Sequence, residues 1–523
     1  MPQPKMMFYN DGRHPLIYQY EPPMSKEEYE SAVDELVGTP VEALMFCIGD
    51  GRTQLYDTKV GELWGHNRDV WTHAVFHRAH RNAVALIEGG HDPLKVIIDR
   101  ANEKGLLLYP TLLVQVASGD RETDVRGSDF RFDNKQFDIG AAGDLDPNWP
   151  HYDYADFKHE EIRAERLSIV KEVVENYDVD GFELNLNYHP LYFHPNEVDA
   201  GRPLMTEWIR EAYELVKASG SDRELVVRVP ASVDGCNSIG LDVREWIDQG
   251  IVDVVVGNTF QGPEIVDPMT DYGPLVEAAQ RTNVRVIAGI HSLVSSDRMR
   301  HGSVEVLRGV ATNYWAQGVD GLYVAYWHGM WPYSDDFYAK LRELPHPDVM
   351  ATKSKVYYVP TQADRVEPDG LEPGLVMHLP AAMELNEPVS VDIRISDDLP
   401  RWGDAGRVDE VLLRIRVIDS TELDQYTVKL NGIELPDSLC RTINTQYGKT
   451  SRYGKPRAYF YIYRLDREHW PVRGMNTVEV TLVERDSDAA PGRVLHDVEI
   501  ETRYLMGKRF YRDVEDPDLG PYT

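Results

Sequence analysis

The chain has 523 residues, more than one hydrophobic core usually sustains, so a large fold plus a smaller one is expected. Its 42% hydrophobic and 27% charged residues exclude a disordered or fibrous polymer. Fifty-five basic against 87 acidic residues leave a formal charge of −32, the wrong sign for coating a phosphate backbone, so nucleic acid is not expected as a partner.

In chain order, short β-rich runs at Met6–Asn10, Ala43–Gly49, Leu106–Val114, Gly181–Leu186, Leu225–Val229, Val252–Gly257, Val284–Ile290 and Gly321–Trp327 read as strands. Between them lie stretches of helical period, Lys26–Val37, Pro93–Lys104, Glu160–Asn176, Thr206–Ala218, Val243–Gln249, Tyr272–Thr282 and Ser303–Gln317. Eight βα repeats predict a (β/α)8 TIM barrel over residues 1–344. A doubly wound open sheet is the alternative, but no GxGxxG follows the first strand.

After Leu344 the pattern changes. Pro345, Pro347 and Pro360 punctuate a connector over 345–385, and helical periods disappear. Strands at Val389–Ile395, Val411–Ile418, Tyr426–Leu430, Tyr459–Tyr463, Thr477–Val483 and Asp497–Arg503 predict an all-β sandwich over 386–523. Asn431–Gly432 reads as a tight hairpin turn. The segments KLNGIELP and GMNTVEVTL resemble the jelly-roll accessory domains of glycoside hydrolases, and both a packing role and a sugar-binding role stay open.

Side chains fill the interior of such a barrel, and chemistry collects where strands run into the loops at their C-terminal ends. That rule nominates Asn10–Asp11, Asp50, Arg131, Glu183–Asn185–Asn187, Arg228, Asn258, His291 and Trp327–His328. Glu183, Asn185 and Asn187 alternate with Phe182, Leu184 and Leu186, so period two turns the polar set inward. Glu183 is then either a reacting carboxylate or an anchor paired with Arg228. The long polar loop Ser128–Gly140, SDFRFDNKQFDIG, suits function. Its Arg131 either grips a carboxylate in bidentate fashion or bridges to Asp129 or Asp133.

Aromatic residues near strand ends, Trp64, Tyr188, Tyr192, Trp327 and Trp331, suit a sugar, which offers faces for stacking and hydroxyls for hydrogen bonding. His73, His77 and His80 in THAVFHRAHR share one side of a helix and are the best zinc pattern. No HExxH accompanies them, so neither a metal nor a cofactor is expected. A metal-dependent hydrolase using these histidines is the remaining alternative on that side. Three cysteines, Cys47, Cys236 and Cys440, lie too far apart for a disulfide framework or a paired-thiolate zinc site.

Four stretches, LYDTKVGELWGH (Leu55–His66), SDFRFDNKQ (Ser128–Gln136), YDVDGFELNLNYHPLYF (Tyr177–Phe193) and the following GRPLMTEWIR, together resemble the glycoside hydrolase family 156 exo-sialidases. The resemblance runs through most of Met6 to Trp331 and implies an inverting glycosidase. It assigns Asp11 to the catalytic pair, Glu62 to the pocket wall, and Arg131 and Arg202 to the grip on the sialic acid carboxylate. Two positions depart from the family pattern. Gln136 stands where the family has its catalytic histidine, and Asn185 stands where relatives carry an acid. Asp133 is the nearest replacement for the histidine.

The sequence therefore predicts a glycoside hydrolase, exo-acting on an acidic sugar, sialic acid first. Its catalytic set is Asp11, Asp133, Gln136 and Glu183. Its substrate set is Glu62, Arg131, Arg202, Asn185, Asn187, Asn258, His291, Trp327 and His328. A catalytically idle barrel that binds glycan, or a hydrolase of another glycan, is the alternative. The negative balance disfavours long-range attraction of an anionic sugar, so local arginines must outweigh it. The longest apolar stretch, around Leu106 to Val116, is broken by Pro110 and Gln115 and is too short for a bilayer, so no membrane partner is expected, while a homodimer is allowed for. MPQPKMMFYNDGRH has no apolar segment of signal-peptide length, which makes the cytoplasm the default location.

Overall fold

The computed structural model describes residues 3–124, 126–259, 266–291, 293–296, 298–299, 301–324, 335–361, 378–445, 458–507, 515–516 and 520–521. Parallel strands close a barrel: β1 (Met6–Asn10), β2 (Ala43–Asp50), β3 (Leu107–Leu113), β4 (Gly181–Asn185), β5 (Glu224–Pro230), β6 (Val254–Asn258), β7 (Arg285–Ile290) and β8 (Gly321–Val324). Neighbours pair in chain order, and β8 returns to β1 with Met6 opposite Leu322 and Phe8 opposite Val324. The (β/α)8 expectation is met. Beyond Val324, the rest of the expected eighth strand lies outside the described residues.

All of β1, β2, β4, β6, β7 and β8 is buried. Helices cover the outer face of a parallel barrel and side chains fill the inner one, which is why these strands read as near-continuous apolar runs. The inner cluster contains Met7, Met45, Tyr109, Val226, Val256 and Ile287. The helices carry their own boundary signals. Ser25 and Glu28 form a reciprocal capping box on Lys26–Asp34. Pro93–Lys104 starts on Asp92 and stops at Gly105, a left-handed C-cap as its sequence predicts. The helix expected at Thr206–Ala218 is longer, Val198–Ser219, and takes in Arg202 and Pro203. No described helix is long and apolar enough to cross a membrane.

The second unit is built from β9 (Lys355–Tyr358), β10 (Ala381–Met383), β11 (Pro388–Ile395), β12 (Val408–Ile418), β13 (Gln425–Leu430), β14 (Cys440–Asn444), β15 (Ala458–Arg464), β16 (Gly474–Glu484) and β17 (Arg493–Tyr504). One antiparallel sheet runs β9-β17-β12-β15-β14, with β10 also on β17, and the other runs β11-β16-β13. Alternate residues of β16 are buried, the pattern of a sandwich strand with one wet face. Two of its strands, β9 and β10, fall inside the 345–385 stretch expected to be a connector. Both are only three or four residues long, and β9 opens with Lys355, whose buried ammonium pairs with Asp397 at 2.9 Å. A strand that short, opened by a lysine, carries no alternation from which to read it.

The junction between barrel and sandwich is close-packed. Helix Val304–Trp315 lies on β9, and a Cβ on Gly309 would run into the Val356 carbonyl oxygen. Asn313 ties the units by donating to the Arg394 carbonyl (3.0 Å) and accepting from the Ser396 hydroxyl (2.8 Å). Gly309→Ala is therefore expected to destabilise the chain by about 1–3 kcal/mol through overpacking. Denaturant unfolding of the two proteins checks this, and an unchanged midpoint would show that the contact yields freely.

Candidate active site

β4 carries its polar row inward, as its alternation predicts. Glu183, fully buried, accepts from the Tyr323 hydroxyl at 3.0 Å to each oxygen and from the Thr111 hydroxyl. Arg228 lies 3.3 Å away, its guanidinium 4.4 Å from the Tyr9 ring centroid and 5.0 Å from that of Tyr323. Burial pushes the Glu183 carboxyl up while Arg228 and the two hydroxyls oppose that. Of the two readings the sequence left open, this is the anchoring geometry. One layer higher, the Asn187 N–H donates to the Asn185 side-chain oxygen (3.1 Å) and the Asn187 amide to the Thr259 carbonyl (2.7 Å).

A charged cluster sits where β1 and β2 end. The chain leaves β1 through Asp11 and Gly12 into the short helix Arg13–Ile17, and a Cβ on Gly12 would strike the Cys47 carbonyl oxygen. This sharp entry folds Arg13 back on Asp11. The carboxylate accepts from Arg13 Nε (2.9 Å), Nη2 (2.7 Å) and backbone N–H (3.1 Å), while Nη1 donates to Asp50 at 2.9 Å. All three side chains are buried. Burial resists ionisation of Asp11, yet the charge and hydrogen bonds of Arg13 overcome it and hold the carboxyl well below the usual range. The second oxygen of Asp50, Oδ1, is buried and has no hydrogen-bond partner among the described residues.

Two loop residues join this cluster. Arg126, half-buried, donates from Nη1 to the Tyr188 hydroxyl (2.7 Å), and its backbone carbonyl accepts from Thr53, beside the end of β2 (2.9 Å). Asp124 accepts from the Arg126 N–H at 2.8 Å. Burial pushes its carboxyl up, and the charge of Asp50 adds to that. The next residue after Tyr188, His189, has φ of 51°, a left-handed conformation costly for a residue with a Cβ. The Tyr154 hydroxyl lies 2.6 Å from its Nδ1.

Other expected residues lie elsewhere. Arg131, only 1% exposed, turns inward and donates to Asp138 (2.7 Å) and to the Asp153 carbonyl (3.3 Å). Its partner is thus neither Asp129 nor Asp133, the pairs weighed from sequence. The Asp138 carboxyl is pushed up to about 6 by burial, against the pull of Arg131 and a Ser118 hydroxyl bond of 2.8 Å. Asp133 is exposed and paired with Arg121 at 2.6 Å. Gln136 donates to Asn134 (2.8 Å) and lines an open depression of about 500 Å³ with Lys135, Asp138 and Tyr152. Arg202 pairs with Asp199 and lines a separate cavity of about 730 Å³. Asn258, Thr259 and Pro230 from the β5 and β6 ends border that cavity, as do Asp392 and Met475 of the sandwich. Arg131 does not line it, so the two arginines do not form one grip.

Glu62 accepts from the Asp129 N–H (2.7 Å) and from Arg52 Nε (3.0 Å), on the rim beside the end of β2. His291 is buried at the end of β7 and accepts from the Leu293 N–H at 2.6 Å. Trp327, His328 and Trp331 lie outside the described residues. Trp64 and Tyr192 are core residues, Trp64 packed on Trp71 and Phe76 and Tyr192 bonded to the Leu186 carbonyl (2.8 Å). His77 and His80 face the Trp71 ring at 5.5 and 5.2 Å, and His80 Nδ1 lies 2.9 Å from the Trp64 carbonyl. Stacked in this way, the histidine stripe does not converge on a common point.

Arg13, Asp124 and Arg126 escaped the sequence reading. Arg13 had a signal, since a cation two residues beyond a strand-end carboxylate can fold back on it. Asp124 and Arg126 had none, because a loop without period does not reveal which side chain points inward.

No family model matches the chain, and no curated protein matches it. Among solved structures, alpha-L-fucosidase isoenzyme 2 from Paenibacillus thiaminolyticus is 13% identical over 67% of this chain and 50% of that chain, with a TM-score of 0.44. An alpha-L-fucosidase from Vibrio sp. strain EJY3 is 11% identical over 96% of this chain and 97% of that one, at 0.37. An Anoxybacillus alpha-amylase is 12% identical over 92% and 98%, at 0.39. The chain spans half the length of the first of these.

Asp11 gives the site a signature in stability. A carboxyl held below its unfolded value of about 3.9 contributes stability that is present above that pH and is lost as pH falls towards the folded value. Asp11→Asn should therefore be destabilised relative to wild type at pH 7, with the gap narrowing below about pH 4. Urea midpoints across that range test it, and a gap independent of pH would mean that Asp11 is not held ionised by Arg13.

Proposed function

We propose that the chain is a glycoside hydrolase, exo-acting on an acidic sugar of the sialic acid type, and that its reaction centre is the mouth cluster around Asp11. The observation that carries this reading is the pair of buried carboxylates, Asp11 and Asp50, on either side of Arg13 at the ends of adjacent strands. Cleaving a glycosidic bond needs one ionised carboxylate and one protonated acid in distinct environments. Asp11 suits the ionised part, facing the developing positive charge or orienting water. It does not suit the donor part, since Arg13 keeps its proton off. Asp124, half-buried and pushed the other way, is the group suited to protonate the leaving oxygen.

The preference for an acidic sugar rests on Arg126. Its guanidinium spends one edge on Tyr188 and is less buried than that of Arg131, which Asp138 already neutralises. A planar fork of this kind matches a carboxylate. Arg126 thus takes the part that the family 156 resemblance gives to Arg131. The cavity bordered by Asn258 and Arg202 has the size of ordinary ligand sites and offers room for the remainder of the glycan.

A second reading, a barrel that binds glycan without cleaving it, is favoured by one observation: Gln136, where the resemblance calls for a histidine, cannot transfer a proton at neutral pH. Turnover separates the two. An aryl sialoside is expected to release free sugar faster than neutral aryl glycosides, and Asp11→Asn and Asp124→Asn should each lower kcat by about 10²-fold or more. Arg126→Ala should raise KM for the sialoside without a matching effect on a neutral substrate. Turnover of a neutral glycoside alone would remove the acidic-sugar assignment, and calorimetric binding with no turnover would establish the idle barrel.

A further inference from the structure

Glu62, His66 and Asp129 meet at the rim of the barrel mouth, outside the cluster around Asp11. Glu62 and Leu63 pair with Thr53 and Gln54, which pair in turn with the end of β2, while Asp129 opens a short helix in the loop after β3. One donor atom from each side chain lies within 4.8 Å of the other two. His66 Nδ1 is 3.0 Å from the Leu63 carbonyl oxygen. A carbonyl only accepts, so Nδ1 donates there, and Nε2 faces Asp129 Oδ2 at 3.2 Å and Glu62 Oε2 at 3.4 Å.

A ring nitrogen and two carboxylate oxygens that converge in this way can share one cation. Metal–ligand bonds of about 2.1 Å in a tetrahedron place neighbouring ligand atoms about 3.4 Å apart, close to the 3.2 and 3.4 Å from His66 Nε2 to the two oxygens. A histidine whose other ring nitrogen donates to a backbone carbonyl is also the usual posture of a metal ligand.

We infer that Glu62, His66 and Asp129 form a binding site for one divalent transition-metal cation of the zinc class, clasping the loops after β2 and β3. One imidazole and two carboxylates favour zinc, cobalt or manganese over calcium or magnesium. The remaining oxygens stay oriented by protein groups: Arg52 Nε holds Glu62 Oε1 at 3.0 Å, and Asn67 holds Asp129 Oδ1 at 3.2 Å. The Asp129 N–H, on Glu62 Oε2 at 2.7 Å, leaves that oxygen a lone pair. As Arg52 does for Glu62, Arg121 competes for Asp129. Its side chain is 45% exposed, and an ion pair so open to water costs little to give up. His66 and Asp129 are 32% and 42% exposed, which leaves a fourth position for water. This site departs from the metal-free expectation and involves none of His73, His77 and His80.

The test is calorimetry on the full chain, stripped with chelator and titrated with zinc chloride, then with magnesium chloride. One zinc per chain is expected, with magnesium at least tenfold weaker. His66→Ala and Asp129→Asn should each weaken zinc at least tenfold while circular dichroism stays unchanged, and a His77→Ala/His80→Ala double variant should bind as wild type does. In the cobalt-loaded chain, a visible absorption band of tetrahedral type should disappear with His66→Ala. Absence of stoichiometric zinc binding, binding unaltered in both single variants, or binding lost in the His77/His80 variant would each overturn the assignment.

Discussion

When Met6–Phe8 pair with Leu322–Val324, the eight-stranded barrel closes, and its strand directions, inner face and two ends are fixed together. Closure removes the unpaired backbone groups that an open edge would expose. It also leaves a narrow interior to be filled, which the chain does partly with charge. Glu183 and Arg228 are tolerated there because Thr111, Tyr323 and the Tyr9 ring satisfy or screen them. Breaking such a pair strands a buried charge, so this layer constrains the sequence more than an apolar layer would.

The same closure places the ends of β1 and β2 side by side, which brings Asp11 and Asp50 within reach of one guanidinium. Arg13 both holds those carboxylates together and spreads the carboxyls of the mouth apart in acidity. Asp11 is drawn down by direct contact, while for Asp124 burial outweighs a backbone N–H and the charges of Arg126 and Arg68. Local geometry, not the overall charge of −32, sets the chemistry available there.

The barrel was legible because strand and helix periods leave a mark in single residues: the alternation in β4 and Gly105 at a helix end. Asp11 at the end of β1 was legible by the same logic. Arg131 was legible as a gripping or bridging cation but not in its direction, because three aspartates lie within a few residues of it and only the fold selects Asp138. The His73, His77 and His80 stripe, from which no metal was expected, shows a related limit: helical spacing says which residues share a face, not that Trp71 lies against His77 and His80. The pairing of Glu62 with Asp129 joins residues 67 apart and has no local trace.

The sandwich takes the edge strand of its larger sheet, β9, from the segment directly after the barrel, and anchors it by the buried Lys355–Asp397 pair. A cut at residue 386, where the sandwich was expected to begin, would leave that strand behind, bare a long flank of β17 and take Lys355 away from Asp397, which would keep only uncharged partners such as the Thr502 hydroxyl. The unit that can be exchanged between proteins, by recombination or by an engineer, therefore begins before Lys355. The expected start of the sandwich and the border at which the molecule can be divided are some thirty residues apart, about the length of a supersecondary motif.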